Sequence, residues 1–345
     1  MYFSILTTLF IFNAVAAQVQ DDQADSKDGK SGSDNPYEGA DFYQDPNFAK
    51  NAGDSGKYGS QPTALWLASD GDLGKLDAIK SAKADKATIM TYVVYDLPVR
   101  DCSASASAGG ASDIGAYKAV IDKIAGAAKG NTNKNLRLSF ILEPDAMANA
   151  ASKYSEGKCS TAVPVYNEGL AYAISSLSTI PNSWVYVDAG HPDWIKGDLM
   201  QKLASNVADV LKNAKNTNPK STISGFASGV SNYIPLDPQY FVTFGDVLKG
   251  AGLPGKFIYD TSRSGQATPK GVWCNPKGAG LGPAPKASPI TNVDAYMWIK
   301  TPGDLQWIFC FNNNIGESDG SAASDPKCAG PDSTPGAPDA GKWYA

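Results

Sequence analysis

Two aspartates, each just beyond an apolar run, carry the chemical content of the chain. Asp101 follows Tyr92-Val93-Val94-Tyr95-Asp96-Leu97-Pro98-Val99-Arg100, and Asp145 follows Leu138-Ser139-Phe140-Ile141-Leu142-Glu143-Pro144. Runs rich in Val, Ile and Phe that end near Pro read as buried strands giving way to loops. In a parallel barrel such loops hold the chemistry, so both acids are placed to face one substrate. Cleavage of a glycosidic bond needs a pair of this kind, one carboxyl kept protonated and another carboxylate near the sugar.

The elements that must position these acids are seven apolar runs, at 63–68, 88–95, 136–142, 183–187, 222–228, 256–260 and 293–299. Segments with helical periodicity lie between several of them, at 113–128 and 198–213 for example. Alternating strand and helix implies an α/β fold with a parallel sheet, and seven such units suggest a barrel. Polar residues end most of the runs. The second gives Tyr95, Arg100 and Asp101, then a small-residue loop through Ser107; the third gives Asp145. The fourth ends Val187-Asp188-Ala189-Gly190-His191, with Trp194 three residues on. The fifth leads to Asn232 and Tyr233, the sixth to Asp260 and Arg263, and the seventh to Lys300. Any one of these is ordinarily a capping or ion-paired loop residue. Together, at the ends of six of seven strands, they point to a functional site.

Composition narrows the ligand. The net charge is −5 with no basic cluster, which argues against nucleic acid or an anionic membrane surface and suits a neutral ligand. Seven Trp and sixteen Tyr supply faces on which sugar rings could stack. His191 is the single histidine, which removes multi-histidine metal sites, and Cys and Asp show no zinc spacing. No Gly-rich phosphate loop follows the first apolar run. Carboxylate chemistry without a cofactor or metal is the expectation.

Residues 1–17 form an uncharged apolar stretch closing on Ala14-Val15-Ala16-Ala17, which reads as a secretory signal peptide although it lacks the usual early Lys or Arg. Residues 18–34 are polar, without aromatics, and read as disordered. From 35 to 345 one continuous domain is expected, in a secreted, extracellular monomer without a membrane anchor. Secretion makes Cys102, Cys159, Cys274, Cys310 and Cys328 candidates for disulfides, an odd count that leaves one unpaired.

The ordered motifs resemble glycoside hydrolase family 6, the inverting cellulases. They are Tyr95-Asp96-Leu97-Pro98-Val99-Arg100-Asp101-Cys102, Leu142-Glu143-Pro144-Asp145 and Asp188-Ala189-Gly190-His191-Pro192-Asp193-Trp194, followed by Ser228-Gly229-Val230-Ser231-Asn232-Tyr233. Asp260-Thr261-Ser262-Arg263, Trp273-Cys274-Asn275-Pro276, Tyr296-Met297-Trp298-Ile299-Lys300 and Glu317-Ser318-Asp319-Gly320 complete the set. The resemblance implies a distorted seven-stranded parallel β/α barrel and action on cellulose or related β-glucan chains. It makes Asp145 the general acid, and Asp101 the neighbour whose charge keeps Asp145 protonated. Tyr95 would lie against the distorted sugar, Ser107 would help hold the attacking water, and Asp319 matches the proposed base. Trp194, Trp273, His191, Asp188, Lys300 and Asn232 match substrate positions, and Arg100 and Arg263 supporting arginines. Cys102 would pair with Cys159 and Cys274 with Cys328, leaving Cys310.

The chain departs from the family in two places. Residues 304–316 form an apolar insertion containing Trp307, Phe309, Cys310 and Phe311, which reads as a retained intron or a gene-model error, with a genuine loop insertion as the alternative. Gly197 stands where the cellobiohydrolases carry a further platform tryptophan, which favours an open cleft and endo or mixed action. A catalytically weak glucan-binding protein and a retaining glycosidase with Asp101 as nucleophile are the rival readings.

Overall fold

The computed structural model describes residues 35–51, 60–104, 107–272, 276–302 and 331–332. The expected signal peptide, the polar segment to 34, the 304–316 insertion, Trp273, Cys274, Cys310, Asp319 and Cys328 lie outside these residues.

All seven expected runs are strands: β2 (Leu65–Leu67), β3 (Thr88–Val94), β4 (Leu136–Leu142), β5 (Ser183–Asp188), β6 (Gly225–Ser228), β7 (Phe257–Asp260) and β9 (Val293–Met297). Two further pairings, β1 (Asp41–Phe42) and β8 (Lys286–Ala287), are only two residues long. The strands run β1-β3-β4-β5-β6-β7-β9-β8, with β2 also on β3, and every pairing is parallel except β8 on β9. Ala64 N–H donates to Trp298 O at 3.2 Å and the Trp66 indole to Ile299 O at 2.8 Å. These bonds join the β2 side to the end of β9, so the sheet curls into a nearly closed barrel.

Side chains alternate across each strand, and that alternation divides the core in two. Along β3, Ile89 and Val93 point into the barrel, while Met90, Tyr92 and Val94 face the helices. Tyr37 lies inside the barrel, its hydroxyl bonded to Ser139 Oγ (2.7 Å) and Thr91 Oγ1 (3.3 Å). After the short helices α1 (Pro46–Asn51) and α2 (Asp77–Ser81), the outer layer is α3 (Ile114–Lys129), α4 (Ala146–Ser152), α5 (Cys159–Leu177), α6 (Asp198–Thr217) and α7 (Pro238–Gly250). The two helices anticipated from periodicity are α3 and α6. α3 starts where the Asp113 carboxylate accepts the Ala116 N–H, and it buries Tyr117, Val120, Ile121, Ile124 and Ala128, one face at helical spacing.

Candidate active site

The same two-residue period delivers the chemistry. On β5, Trp184 and Tyr186 point into the barrel, so Asp188 at the strand end points to its mouth; on β7, Ile258 does the same for Asp260. On β4, Ile141 points inward and Glu143 follows two residues later. Each of these buried carboxylates gathers backbone N–H groups from the loops beside it. Glu143 accepts from Asp96 and Leu97, all at 3.2 Å. Asp188 accepts from Asp145 (2.9 Å) and Gly190 (3.0 Å). Asp260 accepts from Ser231, Ser262, Ile299 and Lys300 at 3.0–3.2 Å. The gap between the β5 and β6 ends is bridged by Ser228 Oγ and Gly229 N–H, both donating to Gly190 O. The rim of the barrel is thus tied loop to loop.

Asp145 caps α4 in the left-handed region, at φ 68°, and remains partly exposed. Burial first, then the negative charges of Asp188 and Asp101, hold its carboxyl well above the usual range. Asp188 is itself raised by burial, against the two N–H groups that favour its charge. Strain gathers here. Val99, Asp101, Glu143, Asp145 and Ser231 all have φ between 52° and 68°, a region costly for side chains and most of all for a β-branched one.

Asp101 lies on a loop stapled from several sides. Its carboxylate accepts the Ser107 N–H at 3.0 Å. Arg100 donates to Ala68 O (2.6 Å), Tyr95 O (2.7 Å) and Ser107 O (3.0 Å), and its guanidinium lies 4.8 Å from the Tyr95 ring centre. Arg100 therefore spends donors on backbone carbonyls and braces the loop. Tyr166 donates to Val99 O at 2.5 Å, and Cys102 is bonded to Cys159, as the resemblance implied. Tyr95 is buried, and burial together with the charges of Asp101 and Asp145 pushes its hydroxyl up, so it stays protonated.

The remaining residues frame the mouth. His191 is tilted against Trp194 at 5.9 Å, and burial lowers its imidazole to about 4, so the ring is neutral near pH 7. Asn232 Oδ1 accepts the N–H groups of Tyr233 (2.8 Å) and Ile234 (3.2 Å), which shapes its own loop. Arg263 is buried, donates to the Tyr233 hydroxyl at 2.9 Å and lies 4.3 Å from that ring centre. The Lys300 ammonium lies 5.5 Å from the Trp66 ring centre, and Trp66 meets Tyr95 edge-on at 5.9 Å. Among the described residues, no three His, Cys, Asp or Glu side chains converge to ligate a metal ion.

Tyr95, Asp101, Asp145 and Asp188 thus form one electrostatic cluster, with Ser107 bonded to it. Sequence reasoning passed over Glu143 as a loop clasp. Its signal was a charge set directly after an apolar strand, where a carboxyl that is buried needs hydrogen-bond donors.

Comparison with known proteins gives the chain its relatives. The chain is 29% identical to exoglucanase A of Cellulomonas fimi over 90% of its own length and 47% of that enzyme's. It is 35% identical to a 1,4-beta-D-glucan cellobiohydrolase of Podospora anserina over 79% of the chain and 59% of that protein. The chain therefore spans only about half the length of these relatives. The solved structure of cellobiohydrolase II from Humicola insolens, in complex with glucose and cellotetraose, superposes with a TM-score of 0.76 at 28% identity, over 90% of this chain and 96% of that one. The model of the glycosyl hydrolases family 6 matches residues 40–345. By sequence and fold, this chain belongs to glycosyl hydrolases family 6.

Proposed function

We propose that the protein is a secreted, monomeric hydrolase of β-1,4-glucosidic bonds in cellulose or related β-glucans, working with inversion at the anomeric carbon. The observation that carries this reading is the environment of Asp145: its N–H is gripped by Asp188 at 2.9 Å, and burial with the charges of Asp188 and Asp101 raises its carboxyl, which favours the protonated form. Asp145 donates its proton to the leaving glycosidic oxygen, and the positive charge that develops on the sugar is stabilised by Asp101. Tyr95, buried and protonated, backs the sugar ring at the cleavage point. A water on the opposite face of the ring, held near Ser107, attacks the anomeric carbon; Asp319 is assigned as its base. Trp194 serves as a stacking platform for a further glucosyl unit, with His191, Asp188, Asn232 and Lys300 around the chain. Arg100 and Arg263 brace the loops. Family membership and the names of the matched relatives support the substrate class.

Proton NMR of the first product from cello-oligosaccharides tests the mechanism: the α-anomer is expected, and a β-anomer overturns it. Binding of amorphous cellulose without turnover would reassign the protein as a glucan-binding one. Viscosity loss per reducing end reads the mode of attack. Gly197, where a platform tryptophan could stand, predicts a steep loss from internal cuts; a shallow loss refutes endo action.

A further inference from the structure

Helix α4 bears Asp145 at its cap and Ser152 as its last residue. Ser152 Oγ lies 2.9 Å from the Trp194 indole nitrogen and 2.7 Å from the Ala148 carbonyl oxygen. An indole N–H only donates, so the hydroxyl must accept from Trp194 and give its own proton to Ala148. Both bonds are made at once and the direction of each is fixed. The other contacts of Trp194 are weaker constraints on its ring. Its backbone N–H closes a turn on His191 O at 2.9 Å, the His191 ring is tilted against it, and its edge lies over Gly190. None of these sets the rotation of a partly exposed indole as one directional bond does.

We propose that Ser152 is a positioning residue that sets the orientation of Trp194 as a sugar platform and ties that platform to the helix carrying the proton donor. The proposal rests on Trp194 stacking against a glucosyl ring, as assigned above. Both ends of the arrangement then belong to one short helix, whose residues Ala146 to Ala151 are all buried. A sugar seated on the indole is held at a fixed offset from Asp145. Binding energy gathered away from the cleaved bond is thereby used to place that bond against the acid.

The test is a double-mutant cycle read by steady-state kinetics on cellotriose and cellohexaose. Ser152→Ala is expected to reduce the gain in kcat/KM from cellotriose to cellohexaose by about 3- to 10-fold, mainly through kcat, as for loss of one hydrogen bond whose effect is to position the cleaved bond. Ser152→Thr, which keeps the hydroxyl, should restore it. In a Trp194→Phe background, which keeps an aromatic face but no N–H, Ser152→Ala should have no further effect. If Trp194→Ala leaves the chain-length gain intact, the platform assignment itself fails. If Trp194→Ala reduces the gain but Ser152→Ala does not, the positioning role is overturned. The same holds if Ser152→Ala reduces the gain equally in the Trp194→Phe background, or lowers only the melting temperature.

Discussion

The carboxylate of Asp188 accepts the backbone N–H of Asp145 at 2.9 Å, so one acid holds the main chain of the other while raising its pKa. Position and protonation state of the candidate proton donor are both shaped by this one neighbour.

This pairing orders the response to mutation. Asp188→Asn keeps an oxygen for the Asp145 N–H but removes a charge, as Asp101→Asn removes the other. Each should lower the Asp145 pKa and move the alkaline limb of the kcat/KM profile to lower pH. Asp188 acts more strongly than Asp101, so its variant should move the limb further. A pH–rate profile of the three proteins checks the order; equal or upward shifts contradict it.

Replacing the proton donor itself is a larger change. Asp145→Asn keeps the size of the side chain but gives up the proton, and kcat on a substrate with a poor leaving group should drop about 10²- to 10⁴-fold. An activated aryl leaving group needs less protonation, so the loss there should be smaller. Comparable losses on both substrates would argue against a general acid.

Glu143 makes stability depend on pH in an unusual direction. Burial raises its pKa to about 8 despite two N–H donors. Below pH 4.5 it is protonated in folded and unfolded chains alike, and its share of stability is intact. As pH rises toward 8, the unfolded chain has lost the proton that the folded chain retains, so stability falls. Glu143→Gln removes this dependence. Melting curves should show the variant gaining on the wild type by several degrees between about pH 5 and pH 8.

The bond between Cys102 and Cys159 closes a loop of sequence separation 57. In the chain-entropy model such a link contributes roughly 4 kcal/mol. Cys102→Ser with Cys159→Ser should lower the melting temperature and, because Cys102 adjoins Asp101, lower kcat as well. An unchanged kcat would show that the Arg100 and Tyr166 bonds hold the loop unaided.

Gly110 offers a local test of that loop. It has φ 96°, and a Cβ there would stand 1.9 Å from the Leu97 carbonyl oxygen, a backbone atom that cannot swing aside. Gly110→Ala should destabilise by about 1–3 kcal/mol and reduce activity together. A variant of native stability would contradict this geometry.

The seven main strands were legible because each lies in a mostly apolar run between turn-forming or helical segments. β1 and β8 were not, since two residues carry no periodicity and their pairing depends on partners far along the chain. Asp101 and Asp145 stood out by position at strand ends. The clasps did not: Asp188 meets Asp145 across 43 residues and Glu143 meets Asp96 across 47. Such contacts arise only once the barrel has closed. Arg100 illustrates the same limit. The resemblance made it a supporting arginine, and only the closed fold shows that its donors go to the carbonyls of Ala68, Tyr95 and Ser107.

The clasps of Glu143, Asp188 and Asp260 hold their loops chiefly by main-chain N–H groups. Any residue except proline offers the same handle. Exchange of an exposed loop side chain therefore leaves the grip intact, so contacts with a polymer can lengthen or shorten while the acids stay in register; Tyr233, Ser262, Arg263 and Ser264, buried themselves, belong to the fixed part. The architecture separates the evolvable part of the site from the fixed part.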